Sequence, residues 1–181
     1  EEVGSSSATG AGSPIMAEAI RRISSVLLKD DKQNVEQMYA NTIDQSFVLS
    51  VDQAHAIHPN YASKHEKGHS PKMNSGMVIK RNSNQRYATN AVTGLIMKEI
   101  AKKANLPILQ EFVVRNDCGC GSTIGPIISA ATGIRAIDMG CPQLSMHSIR
   151  ETMGVTDVVH GVNLFKAFFT HFREVDSTVE C

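Results

Sequence analysis

Phe47-Val48-Leu49-Ser50-Val51-Asp52 is the stretch on which the fold turns. It is a short apolar run that ends on a carboxylate, and it reads as a buried strand with Asp52 at its carboxyl end. Open α/β sheets place their sites in that position. Toward the N-terminus, Ser13-Pro14 offers an N-cap and a first-turn proline. Ile15, Ala19, Ile20, Ile23, Val26 and Leu27 then recur at helical spacing, with Glu18, Arg21, Arg22 and Ser25 opposite. This pattern predicts an amphipathic helix of about four turns. Residues 3–13 are small and flexible, and residues 29–44, polar and aperiodic, read as a surface loop.

Toward the C-terminus, residues 58–75 read as a long loop and Met77-Val78-Ile79-Lys80 as a second strand. A helix is expected over 88–104, with Ala91, Val92, Leu95, Ile96, Ile100 and Ala104 on its inner face and Pro107 blocking continuation. Glu111–Arg115 and Ile134–Met139 read as strands. Between them, Ile124–Thr132 reads as a short helix stopped by Gly133. A last helix from about Val155 to Phe172 is expected to turn Val155, Val158, Val159, Val162, Phe165, Phe169 and Phe172 inward, with a frayed tail after Glu174. Strands alternating with helices argue for an α/β/α sandwich with a largely parallel or mixed central sheet.

The chain has 181 residues, enough for one domain with a real core. Its 18 basic and 18 acidic residues cancel, which lends no support to nucleic-acid or membrane-surface binding. No apolar run reaches the ~20 residues needed to span a bilayer. Four cysteines in a chain of this length do not make a disulfide scaffold. Cys118-Gly119-Cys120 is too closely spaced for a zinc knuckle and lacks a second pair, so reduced thiols are the better reading.

Adjacent carboxylates, Glu1-Glu2, open the chain ahead of Val3-Gly4-Ser5. One carboxylate can hold a metal while its neighbour moves a proton. Together with Asp52 and His147 they are the residue types of a hydrolytic zinc site. On spacing alone, two solvated surface glutamates is the stronger reading of Glu1 and Glu2. Asp52 reads equally as a buried, partnered carboxylate or as a turn aspartate. His147, after Gly140-Cys141-Pro142, suits a loop hydrogen bond more often than a metal. Lys80 and Tyr87 suit an anionic substrate group, or a solvated strand end. Arg115 and Asp117 read as a local pair. His55, His58, His65 and His69 follow spacings of 3, 7 and 4 residues, which match no zinc pattern. The chain lacks an initiating Met and starts inside its most suggestive motif, so it reads as part of a longer polypeptide.

Taken together, several stretches resemble the aspartyl aminopeptidase family of dinuclear zinc exopeptidases. They are Glu1–Ser5, Val51-Asp52-Gln53-Ala54-His55-Ala56-Ile57-His58-Pro59-Asn60-Tyr61, Asn82–Ala88, Val114–Asp117, Gly121–Ile127 and Met146-His147-Ser148-Ile149-Arg150-Glu151. The resemblance implies that Glu1 is the general base, that Glu2 and His147 hold one zinc, and that Asp52 holds the other. It implies that His55, Lys80 and Tyr87, with Glu1, contact substrate. A second-zinc histidine and a bridging aspartate, like an inserted dimerisation domain, are expected upstream of residue 1. Residues 1–181 are therefore expected to be the C-terminal part of a single catalytic domain. Implied too are two Zn²⁺ per subunit, peptide substrates beginning with Asp or Glu, assembly as a homododecamer, and a cytoplasmic location without nucleic-acid or membrane partners. The alternatives are a related aminopeptidase preferring neutral or hydrophobic residues, and a non-catalytic assembly subunit.

Overall fold

The computed structural model describes residues 7–27 and 34–179; Glu1 and Glu2 lie outside the described residues. A pair of short turns, Gly10 N–H to Ser7 and Ser13 N–H to Gly10, leads into α1 (Ile15–Leu27). The expected loop at 29–44 is in part a helix, α2 (Val35–Asp44), capped by Asn34 through its bond from the Glu36 N–H at 2.8 Å. Its apolar repeat (Val35, Met38, Tyr39, Ile43) is short and diluted by Gln and Asn, so periodicity alone did not expose it. Arg21 joins the two helices, bonding Glu36 at 3.2 Å and lying 4.5 Å from the centre of the Tyr39 ring.

The central sheet has four strands in the order β1 (Phe47–Val51), β5 (Arg135–Gly140), β3 (Val78–Arg81) and β4 (Gln110–Val113). β1 runs parallel to β5 and β3 parallel to β4, while β3 and β5 are antiparallel. The sheet is thus mixed, one of the two forms expected. A second, three-stranded sheet carries β2 (Ala54–His55), β6 (Pro142–Leu144) and β7 (Thr152–Met153). β1 was expected to be buried. Among the described residues it is an edge strand, with only Ser50 fully buried.

The pleat sorts side chains onto two faces. Ile79, Ile137 and Met139 point into a core built with α3 (Ala91–Lys103) and α5 (Val155–Asp176). Val78, Lys80 and Asp138 alternate with them, and on that second face lie Tyr87, Phe112 and α4 (Ile124–Thr132). Helices cover both faces, as the sandwich reading required. α3 starts at Asn90, where a capping box with Thr93 satisfies two backbone donors. It ends before Pro107, because Asn105 adopts a left-handed φ of 52° and a Schellman pair forms: Leu106 N–H to Ala101 and Asn105 N–H to Lys102. α4 stops as expected at Gly133, with φ 80°.

Both long helices bury a face shifted in part from the expected one, although Val92, Ile96, Ile100 and Ala104 of α3 and Phe165 and Phe172 of α5 do pack against the core as expected. In α3 the buried residues are Thr93, Gly94, Ile96, Met97, Ile100 and Ala101, and Ala91 and Leu95 face outward. In α5 the buried residues are Asp157, Gly161, Leu164, Ala167, Phe168 and Val175. Val155, Val158, Val159, Val162 and Phe169 are exposed, Val155 and Phe169 at 82% each. A polar anchor explains the rotation. The Asp157 carboxylate accepts the N–H groups of Asn74 (2.6 Å) and Gly76 (2.8 Å), and Gly161 lets Met77 come close. Choosing the most apolar stripe misses a face on which Asp157, Gly161 and Ala167 sit beside Leu164, Phe168 and Val175. Nor does α5 fray after Glu174: Arg135 grips Asp176 with two bonds of 2.6 and 2.9 Å, and Val175 is buried.

Candidate metal and substrate site

Asp52 follows β1 and is clamped by β5. Its N–H donates to the Met139 carbonyl at 3.0 Å, and two residues on the Ala54 N–H donates to Cys141 at 2.9 Å. Gly140 makes this approach possible, since a Cβ there would sit 2.1 Å from the Asp52 carbonyl oxygen. The Asp52 side chain is 35% exposed. One oxygen accepts from Lys80 Nζ at 2.9 Å, and the other has no hydrogen-bond partner among the described residues. Lys80 is not a solvated strand end. It is 2% exposed, also donates to the Gln53 carbonyl at 3.2 Å, and sits 4.9 Å from the centre of the Tyr87 ring.

Tyr87 and Phe112 form the floor of a cleft of about 740 Å³ whose walls include His55, His65, Cys120 and Met146. The ring of His55 meets Phe112 edge-on at 6.0 Å, and that of His65 does so at 5.7 Å. Burial holds the His55 imidazole below its usual pKa, and the charges of His65, Lys80 and His147 add to this while Asp52 opposes it. Burial likewise drives the Tyr87 phenol well above its ordinary range, assisted by the Cys120 thiol 3.4 Å from its hydroxyl and by Asp52 and Asp138. At neutral pH Tyr87 is therefore a hydrogen-bonding hydroxyl, not an anion.

Asp52, His55, Lys80 and Tyr87 thus converge, and His147 lies within electrostatic reach of His55. His147 is exposed on the segment after β6, in a left-handed backbone with φ 66°. The Glu151 carboxylate holds its N–H. Such a conformation costs energy in a non-glycine residue and marks a constrained loop. Arg115 and Asp117 pair with each other, at 2.8 and 2.6 Å, as read.

Asp138 was not singled out by the sequence reading. It is wholly buried and accepts from Ser50 Oγ (2.6 Å), Thr123 Oγ1 (2.5 Å) and the Ala88 N–H (2.6 Å). It therefore ties β1, β5, the start of α4 and the residue after Tyr87 into one frame. Gly125 leaves room for it, because a Cβ there would lie 2.4 Å from its Oδ2. The signal was available: a carboxylate inside Ala136-Ile137-Asp138-Met139 must be paired if the strand is buried.

A carboxylate with an uncommitted oxygen and an imidazole on a constrained loop are donors that zinc accepts. No group of three or more such donors comes together among the described residues, so this part of the chain offers a partial ligand set.

A chain of mixed α/β architecture, with a half-committed aspartate at a strand end beside an aromatic cleft, fits a metallohydrolase. The chain matches the family described as aminopeptidase I zinc metalloprotease (M18) over residues 1–169, and it belongs to that family. It is 56% identical to a probable aspartyl aminopeptidase of Ricinus communis over 179 residues, and 50% identical to the aspartyl aminopeptidase of Dictyostelium discoideum over 178. These matches cover 99% and 97% of this chain but only 35% and 37% of the relatives, so the chain spans about a third of their length. Among solved structures it is similar to a chain in the cryo-EM structure of the Ape4 and Nbr1 complex, with TM-score 0.91 and 43% identity over 99% of this chain and 33% of that one. It is also similar to a subunit of the S. cerevisiae mApe1 dodecamer, with TM-score 0.83 and 34% identity over 99% of this chain and 38% of that one. No helix among the described residues is long and apolar enough to cross a membrane.

Proposed function

We propose that this chain is the C-terminal part of the catalytic domain of a metal-dependent aminopeptidase that removes N-terminal Asp or Glu from peptides. The observation that carries the reading is the convergence of Asp52, His55, Lys80 and Tyr87 beside the cleft, with His147 in electrostatic reach. The acidic preference is supported by the buried Lys80 cation and by the similarity to aspartyl aminopeptidases.

In this reading Asp52 contributes to one of two Zn²⁺ sites per subunit and Glu2 with His147 to the other, the remaining ligands coming from upstream. The chemistry zinc supplies when bound is polarisation of the peptide carbonyl and a lowered pKa for water. Glu1 accepts the proton of the attacking water and returns it to the leaving amine, work typically worth 10²–10⁴-fold. Tyr87 donates a hydrogen bond from a hydroxyl that stays protonated, and His55, neutral above its lowered pKa, presents an acceptor nitrogen to the substrate. Lys80 supplies positive charge for the acidic side chain. Twelve copies assemble, as the mApe1 dodecamer does, and the enzyme works in the cytoplasm.

The test is made on the full-length protein. Glu1→Gln keeps shape but cannot accept the proton, so turnover of an N-terminal Asp peptide should vanish while metal content stays near two zincs per subunit. Retention of more than about a tenth of wild-type kcat would remove Glu1 from the base role. A metal-free full-length protein would instead favour a non-catalytic assembly subunit.

A further inference from the structure

The loop 117–121, Asp-Cys-Gly-Cys-Gly, lines the cleft with two free thiols that the proposed mechanism does not use. Cys120 Sγ lies 3.4 Å from the Tyr87 hydroxyl and 3.1 Å from the Gly121 carbonyl. Cys118 Sγ is 3.8 Å from the carboxylate of Asp117, which Arg115 holds in two bonds. Both thiols are part-exposed, so a small solute reaches them.

Cα atoms two apart in sequence are separated by at most about 7 Å, and disulfides are built across Cα distances of about 4.4–6.8 Å. A bend at the intervening residue therefore suffices to bring the sulfurs together. That residue is Gly119, and neither it nor Gly121 has a neighbour within 4 Å of where a Cβ would be. The loop can fold on itself without displacing anything packed against these two glycines.

We propose that Cys118 and Cys120 are a reversible dithiol–disulfide pair in the cleft wall, closed by a peroxide and reopened by a reductant, and that closure weakens peptide binding by drawing the Cys120 sulfur off the Tyr87 hydroxyl. The second half rests on the cleft being the peptide site. The chemistry balances. Peroxide oxidises one thiol to a sulfenic acid with release of water. The other thiol attacks that sulfur, a second water leaves, and the S–S bond forms. The peroxide takes up the two electrons that the thiols lose. A disulfide closing so small a ring is strained and exposed, which places it among the easily reduced, regulatory kind. Cys141 is the internal contrast. It is buried against Met77 and the Asp157 carbonyl, and burial pushes its thiol up to about 11, so it stays inert.

The experiment uses full-length, metal-loaded protein. It is reduced with a phosphine, desalted, exposed to graded hydrogen peroxide, quenched, alkylated and digested with trypsin. Cleavage after Arg115 and Arg135 isolates Asn116–Arg135, which holds Cys118 and Cys120 and no other cysteine. The expected result is that this peptide becomes lighter by two hydrogens and refuses alkylation, with both changes reversed by the phosphine. In parallel, KM for an N-terminal Asp peptide should rise about 3- to 10-fold, the scale of one lost hydrogen bond. Cys118→Ser cannot close the ring, and its KM should be insensitive to the same treatment. Absence of the internal disulfide at peroxide levels that already oxidise methionines would overturn the proposal, as would a disulfide that leaves KM unchanged. Turnover without a disulfide sinks only this inference. A disulfide in a protein with no aminopeptidase turnover sinks the functional reading and leaves the thiol chemistry standing.

Discussion

Asp52 and Asp138 belong to the same small region and do opposite things. Ser50 pairs in register with Asp138, and Asp52 lies two residues beyond Ser50, so all three share a face. Asp138 is wholly buried and both of its oxygens are taken, by two hydroxyls and a backbone N–H. Asp52 is partly exposed, with one oxygen on Lys80 and the other uncommitted. A buried carboxylate with saturated oxygens is a structural joint. One with spare valence beside a cleft is available to a ligand.

The largest expected effect comes from breaking the joint. In the full-length protein, Asp138→Ala strands two hydroxyls and the Ala88 N–H in a closed interior. We expect it to cost about 3–5 kcal/mol, the scale of a broken buried charged network. Asp138→Asn should be much milder, because its oxygen can take the Ala88 N–H while the Ser50 and Thr123 hydroxyls rotate to accept from its amide. Urea midpoints of the two variants check this. An Asp138→Ala variant within about 0.5 kcal/mol of wild type would end the structural reading, since that is the range of an ordinary surface change.

Asp52→Asn tests the other half. The amide still accepts from Lys80, so the buried cation keeps its partner and the fold should hold. If Asp52 holds zinc as proposed, the anionic ligand is gone, and zinc affinity of the full-length protein should fall by more than the roughly 10–100-fold seen when only an outer partner of a ligand is lost. Metal content after dialysis is the measurement, and wild-type occupancy would make Asp52 a second structural joint. Lys80→Met then asks whether the cation serves the substrate or Asp52. If it reads the substrate, kcat/KM for an N-terminal Asp peptide drops roughly 10²-fold and an N-terminal Leu peptide changes far less. Equal losses would mean that Lys80 orients Asp52.

What could be read from the sequence divides along the same line. The four strands of the central sheet and α1, α3, α4 and α5 were legible, because β-branched runs and the Gly133 stop are local signals, whereas α2 and the short strands β2, β6 and β7 were not. Which face turns inward was not, since Asp157 and Gly161 set the rotation of α5 through partners, Asn74, Gly76 and Met77, at least 80 residues away. Lys80 and Tyr87 were recognisable as a pair. Their closure onto Asp52 depends on β3 running antiparallel to β5, which no local pattern encodes. Asp138 announced itself as an acid in an apolar strand and was passed over, because its three donors come from three separate segments.

Glu111 supplies the smallest effect and a third kind of carboxylate: half-buried, multiply paired and remote from the ligand question. It bonds Lys98 at 2.5 Å and Arg81 at 3.2 Å, and His69 lies 4.0 Å away. Burial pushes its pKa up, but the Lys98 hydrogen bond and the charges of Arg81 and Lys98 outweigh that and leave it lowered. A carboxyl whose folded pKa is depressed binds protons more weakly in the folded state. Its stabilising contribution is therefore complete above the unfolded value of about 4.3 and disappears as pH falls through the lower folded value. Because Lys98 is well exposed, solvent screens the pair and the whole contribution should stay under about 1 kcal/mol. Glu111→Gln keeps the shape and removes the charge. The gap between its urea midpoint and that of the wild type should be measurable near pH 7 and should close by about pH 3. A gap that persists at low pH would show that Glu111 acts through packing, and would place it with Asp138 as a joint rather than as an ion pair.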